Sequence, residues 1–74
     1  MEMSNFYYML YYCEQRKDKI SIELYNNYMN SNYTKKELLM IFNNFMIKGF
    51  QNKNKKDLIT FLFNQKIKLI NKFN

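Results

Sequence analysis

The sequence predicts a small all-α domain of three or four helices, and three observations carry that expectation. In "TKKELLMIFNNFMIK" the apolar residues Leu38, Ile41, Phe42 and Phe45 recur at i, i+3, i+4 and i+7, one stripe of a helix. Helix-start signatures stand before both long apolar segments of the second half, at Thr34 and at Asn54. The chain has no proline and a single glycine, Gly49, so little in it interrupts a helix.

Phe6, Met9, Leu10 and Cys13 predict a first helix from about Ser4 to Lys17, capped by Ser4 or Asn5. "KISIELYNNYM" reads two ways, because Ile20, Ile22 and Leu24 alternate as a strand does. A lone strand has no partner here, so a short helix from about Ile22 to Met29 is the expectation, with "NSNY" at 30–33 as a turn. Thr34 followed by Glu37 is a capping box that starts the next helix near Lys35. Gly49 follows the last periodic residues and reads as the left-handed residue that stops this helix.

Asn54 is a strong N-cap, with Asp57 at the third position, where its charge complements the helix dipole. From there Leu58, Phe61, Leu62 and Leu69 line one side of a helix reaching about residue 70, and Ile59, Phe63, Ile67 and Ile70 widen the stripe. So wide an arc exceeds what one partner helix covers, and the N-terminal third or another chain must supply the rest. The expectation is one domain over 1–74, an aromatic helical segment (1–33) joined to a two-helix unit (34–72).

A chain of this length buries only about 60% of its unfolded surface, so its core must be strongly apolar. Seven Phe, seven Tyr and six Met serve that need. Ala, Val, Pro, Trp and His are absent, while Asn, Lys, Ile, Tyr and Phe dominate, the usage of AT-rich coding. The twelve Asn are therefore not read as a prion-like tract. Without His and with Cys13 alone, the usual zinc ligands, an internal disulfide and a Ser–His or Cys–His pair are all excluded. The six carboxylates (Glu2, Glu14, Asp18, Glu23, Glu37, Asp57) show no pairing suited to acid–base work. Cys13, inside "YYMLYYCEQ", reads as a small buried hydrophobe. The expectation is a binding protein rather than an enzyme, with no cofactor or metal. "FYYMLYY" is too short to cross a bilayer, and an acidic Glu2 stands where a signal peptide carries basic residues. An intracellular, non-secreted protein that does not bind membranes is expected.

Charge is unevenly placed. Residues 1–33 carry three basic against four acidic groups, and residues 34–74 carry nine basic groups against Glu37 and Asp57. The second half holds all the net charge of +6 and more, which points to an acidic partner, nucleic acid being the commonest. Lys48, Lys53, Lys55 and Lys56 surround Gly49. The free N–H groups at the helix start beside Lys55 and Lys56 make an anion site. Lysine is also abundant in AT-rich coding, and Lys66, Lys68 and Lys72 read as a solvated face. Phe50 suits stacking on a base. The tyrosines complete the core with their hydroxyls at the surface, or form a docking or dimer contact.

Residues 34–62 resemble the helix-extended-loop-helix superfamily, which includes SAP domains, LEM domains and the N-terminal domain of the transcription terminator Rho. The resemblance lies in T-x-x-E-L-x-x-I, then I-K-G-F, then K-x-D-L-I-x-x-L. Its residues are Thr34, Glu37, Leu38, Ile41, Ile47, Lys48, Gly49, Phe50, Lys55, Asp57, Leu58, Ile59 and Leu62. Members often carry a small residue just before the I-K-G segment; Met46 stands there, and implies a first helix one or two residues longer. The resemblance implies a module that binds DNA or RNA with weak sequence preference. Its contacts would come from Lys48, Lys53, Lys55 and Lys56, with Gln51, Asn52 and Asn54 able to hydrogen-bond. For Phe50, at an apolar position of the family, the resemblance implies a loop anchor in the core instead of a stacking ring. LEM relatives bind a protein, so the fold leaves the partner open. Sequence-tolerant nucleic-acid binding, DNA before RNA, is the leading expectation. The alternatives are a viral- or phage-type factor docking on a host or defence protein, and a structural subunit of a larger assembly.

Overall fold

The computed structural model describes residues 3–73, which form five helices and no strand. They are α1 (Ser4–Arg16), α2 (Lys19–Asn32), α3 (Lys35–Asn44), α4 (Lys55–Asn64) and α5 (Lys66–Phe73). The all-α expectation holds, with five helices where three or four were expected. Glu2 lies outside the described residues.

α1 starts where expected, but the residue before it is Met3, which makes no side-chain cap, so neither Ser4 nor Asn5 caps it. Its end is set by Lys17, whose φ of 55° is left-handed and whose N–H donates to the Cys13 carbonyl at 2.8 Å. α2 is longer at both ends than the expected 22–29. Asp18 caps it, its carboxylate accepting the Ser21 N–H at 2.8 Å, and the helix runs through the "NSN" expected to turn. Tyr33 then takes extended backbone before Thr34 and Glu37 form the capping box of α3.

α3 stops five residues before Gly49. The Met46 N–H donates to the Asn43 carbonyl (3.0 Å) and the Ile47 N–H to that of Phe42 (2.9 Å), the paired bonds of a Schellman motif. Met46 holds the left-handed position at φ 59°, where glycine is preferred. The expectation that Met46 prolongs the helix is therefore reversed, and Gly49 is not its stop. Gly49 does have positive φ, +89°, but inside the loop that follows.

Asn54 caps α4 as expected, accepting the Asp57 N–H at 2.8 Å. The expected single helix to residue 70 divides at Gln65, whose N–H is shared between the Phe61 and Leu62 carbonyls. The division lets the two pieces face different partners: α4 packs on α2 and α3, and α5 packs on α1.

Every helix contributes to one core. Phe6, Leu10 and Cys13 of α1 meet Tyr25 and Met29 of α2, Leu38, Ile41 and Phe42 of α3, Leu58, Ile59 and Leu62 of α4, and Leu69 of α5. Of the wide arc, Ile67 is left 57% exposed, and Phe61, expected to be buried, is half-buried. Two polar contacts pin helix pairs inside this core. The buried Tyr25 hydroxyl donates to the Ile59 carbonyl at 3.0 Å, tying α2 to α4. The Cys13 thiol donates to the Ser21 carbonyl at 3.2 Å across α1 and α2. Burial pushes this thiol's pKa up, which suits a packing role and not a nucleophile.

Two outcomes follow for stability. Met46→Gly should stabilise by about 1 kcal/mol by relieving a left-handed side chain, and Gly49→Ala should destabilise by about as much. Urea denaturation of both checks the placement of the helix stop. The Asp18 carboxyl is held down to about 2, first by the Ser21 N–H and then by the Arg16 guanidinium. Its folded pKa lies below the ordinary value of about 3.9, so its contribution is full above that value and lost as pH falls toward about 2. Asp18→Asn keeps a capping oxygen and should flatten this part of the acid-unfolding curve.

Candidate nucleic-acid interface

The loop between α3 and α4 has few backbone hydrogen bonds of its own. After the Ile47 bond that closes α3, the Lys53 N–H donates to the Phe50 carbonyl at 3.1 Å, forming a turn. Rings hold the rest. Phe50 packs on Phe42 (centroids 5.0 Å apart) and on Phe61 (4.5 Å), and Phe42 meets Phe61 at 5.6 Å. Phe42 is buried, so it forms the floor on which the half-buried Phe50 and Phe61 rest. Phe50 is thus a loop anchor with part of its ring still open.

The sequence-expected contact residues separate into two groups. Lys48, Gln51, Asn52, Lys53, Asn54 and Lys56 are exposed. Among the described residues Lys48, Lys53 and Lys56 make no ion pair, and the Asn54 side chain is spent on capping α4. Lys55 is different. It is half-buried, and its Nζ donates to the Asn30 carbonyl at 2.6 Å. Asn30 lies in the last turn of α2, where carbonyls have no helical partner and where α2 has no basic residue of its own. Lys55 therefore caps α2 from α4, a cation at the negative end of a helix dipole. Its amide and that of Lys56 still point out of the start of α4, with the Asp57 carboxylate close by.

The free lysines do not share one hollow. Lys53 borders a depression of about 250 Å³ with Phe50, Asp57, Thr60, Phe61 and Asn64. Lys56 borders another of about 340 Å³, on the α2 side, with Asn26, Asn27, Asn30, Ile59 and Thr60. Thr60 lies on both, so the two flank one exposed ridge of α4. The asparagines of α2 were invisible as neighbours of Lys56, because nothing local to α2 places α4 beside it.

The lysines read as a mere solvated face also separate. Lys66 lies 3.9 Å from Glu14 and 4.3 Å from the centre of the Phe63 ring, so it is committed to packing. Lys68 and Lys72 border a third hollow with Phe45, Ile47, Phe61 and Leu69, the Lys72 ammonium lying 5.9 Å from the centre of the Phe45 ring. Their spacing of four on a helix was the signal that they share a side.

In the first third, acids pair with Arg16 and Lys17. Arg16 pairs with Asp18 at 2.7 Å, and Glu14 lies 3.3 Å from Lys17. The tyrosines only partly follow expectation. Tyr25 and Tyr33 are buried, whereas Tyr8 and Tyr11 stand 66% and 54% exposed on the outer side of α1. No group of His, Cys, Asp or Glu among the described residues could hold a metal, and no helix there is long and apolar enough to cross a membrane. The chain matches no protein-family model, no curated protein and no solved structure.

The division among lysines has a measurable consequence. Lys55→Gln should cost up to about 1 kcal/mol of stability by uncapping α2. Lys53→Gln and Lys56→Gln should each stay within about 0.5 kcal/mol of the parent. Thermal unfolding of the three variants checks it.

Proposed function

We propose that the protein is a non-catalytic nucleic-acid-binding module that holds phosphates with the α3–α4 loop and the start of α4. The observation that carries this reading is the set of exposed, unpaired lysines, Lys48, Lys53 and Lys56, on a segment anchored by Phe50. Phosphate contacts from such groups fix position without reading bases, so binding tolerates sequence. Gln51 and Asn52, exposed between Lys48 and Lys53, add hydrogen-bonding capacity without charge. The resemblance of residues 34–62 to helix-extended-loop-helix modules supports the same partner class, with DNA ahead of RNA.

A second reading rests on a different surface. Tyr8 and Tyr12 stack at 6.4 Å on α1, beside exposed Tyr11. Tyrosine is enriched at protein interfaces, and this face fits a protein partner in the manner of a small docking factor or assembly subunit.

Salt dependence separates the two. With three lysines each neutralising one phosphate of a duplex, log K should fall against log salt with a slope of about −3. Replacing Lys48, Lys53 and Lys56 by Gln should remove nearly all of that slope and weaken all sequences alike. Lys17→Gln with Lys19→Gln is the comparison, because Lys17 closes α1 and Lys19 opens α2, at the end of α2 remote from Asn30. Equal losses per charge from both sets would reduce the effect to general positive charge. No binding at low salt, together with capture of a partner through Tyr8 and Tyr11, would favour the protein-docking reading.

A further inference from the structure

We infer that the ligand is single-stranded nucleic acid, lying along a strip that runs from Lys53 over Phe50 and Phe61 to Lys68 and Lys72. This rests on the phosphate-binding reading and extends it to α5, which that reading leaves out.

The strip is built from two adjoining hollows that share one residue. Phe61 lines the hollow beside Lys53 and also the one between the loop and α5. The aromatic surface is therefore continuous between lysines at its two ends. Phe50 and Phe61 are half-buried, packed from below against Phe42, and so present partly open rings. Beyond Phe61 the floor continues as Phe45, Ile47 and Leu69, with Lys68 and Lys72 on its rim. The second hollow has no acidic residue in its lining, and the first has only Asp57. Asn64 and Gln65 stand along the way as uncharged hydrogen-bonding groups.

This composition fits a single strand better than a duplex. In a duplex the bases face one another, and a protein surface of open phenylalanines would meet phosphates and sugars that gain nothing from it. A single strand offers a π-face at each nucleotide and a phosphate between nucleotides, which is what aromatic platforms between cations bind. The second hollow, at about 130 Å³, is small and open to solvent on one side, so it takes the edge of a base and not a folded element. An acidic peptide with an aromatic anchor has related chemistry and is set against the strand in the test.

The test titrates the full chain with a labelled oligothymidine of about 12 nucleotides, within the site sizes of single-strand binders, and with a duplex of equal length. The single strand should bind about tenfold or more tightly than the duplex. Lys68→Gln with Lys72→Gln should weaken it and lower the salt slope by about 1.4, two contacts at roughly 0.7 each. Phe61→Leu should weaken it about tenfold with the slope unchanged, since stacking carries no counterions. Should that variant fold poorly, ring proton resonances of Phe50 and Phe61 in the unaltered protein provide the readout, and oligothymidine should shift both. Preferred duplex binding, lost with Lys48, Lys53 and Lys56 but indifferent to Lys68 and Lys72, overturns the strip and leaves the phosphate reading standing. Absence of binding to either nucleic acid, with the same rings shifted by an acidic phenylalanine-containing peptide, overturns both.

Discussion

Three phenylalanine rings decide what the surface of this protein looks like. Phe42, Phe50 and Phe61 come from α3, the loop and α4, and meet with centroids 4.5 to 5.6 Å apart. The loop has almost no backbone ladder, and each residue held in place costs about 1–2 kcal/mol of conformational entropy. Burial of part of the Phe50 ring is what offsets that cost midway along the loop. Without it Lys48 and Lys53 would sit on a loose tether, and the start of α4 would lose its fixed distance from α3. The same rings that order the loop leave open faces, because so short a chain has a small interior, and Phe50, Phe61 and Phe63 are only partly buried in it. Structural anchor and candidate contact surface are thus the same atoms seen from two sides.

Helix ends account for much of the remaining order. Thr34 with Glu37, Asn54 with Asp57, and Asp18 with Ser21 each satisfy N–H groups at a helix start. The ends are closed less comfortably, by Lys17 and Met46 in left-handed conformations. Lys55 closes α2 from a distance by reaching the Asn30 carbonyl. That contact carries the start of α4 back to the end of α2, so the far end of the α3–α4 loop is tied there. Tyr25, hydrogen-bonded to the Ile59 carbonyl, reinforces the same pair of helices one turn further along α4.

What was legible in the sequence follows from which signals are local. The starts of α3 and α4 were readable because a capping side chain and its N–H target lie within three residues. The core of α3 was readable because Leu38, Ile41, Phe42 and Phe45 obey one period. The stop of α3 was not, because a glycine three residues on is a stronger local signal than a methionine forced left-handed by the chain's need to turn Ile47 inward. α2 was read short since "NSNY" has turn composition, yet Met29 and Tyr33 are buried and hold that segment to the core. The division at Gln65 has no residue signal at all. It answers a tertiary demand, that α4 face α2 and α3 while α5 faces α1. The candidate site was legible as a list of lysines and illegible as a surface: no local rule assigns Lys55 to a cap, or Lys68 and Lys72 to the edge of the loop.

The charge asymmetry of the chain becomes a spatial one by the same logic. Glu14 lies against Lys17 and Lys66, and Asp18 holds Arg16, so the acids of the first third neutralise bases around the α1–α2 corner. Among the described residues, no carboxylate forms an ion pair with the loop lysines. Asp57, which borders the same hollow as Lys53, is in the first turn of α4, where the helix dipole already favours it. Unpaired like charges on a small domain repel one another, and a core of this size has only a few kcal/mol to set against that repulsion. Pairing them internally would have been the cheaper arrangement for stability alone. In the proposed function, a polyanion would supply the missing negative charge on binding, and the release of its counterions would favour the encounter.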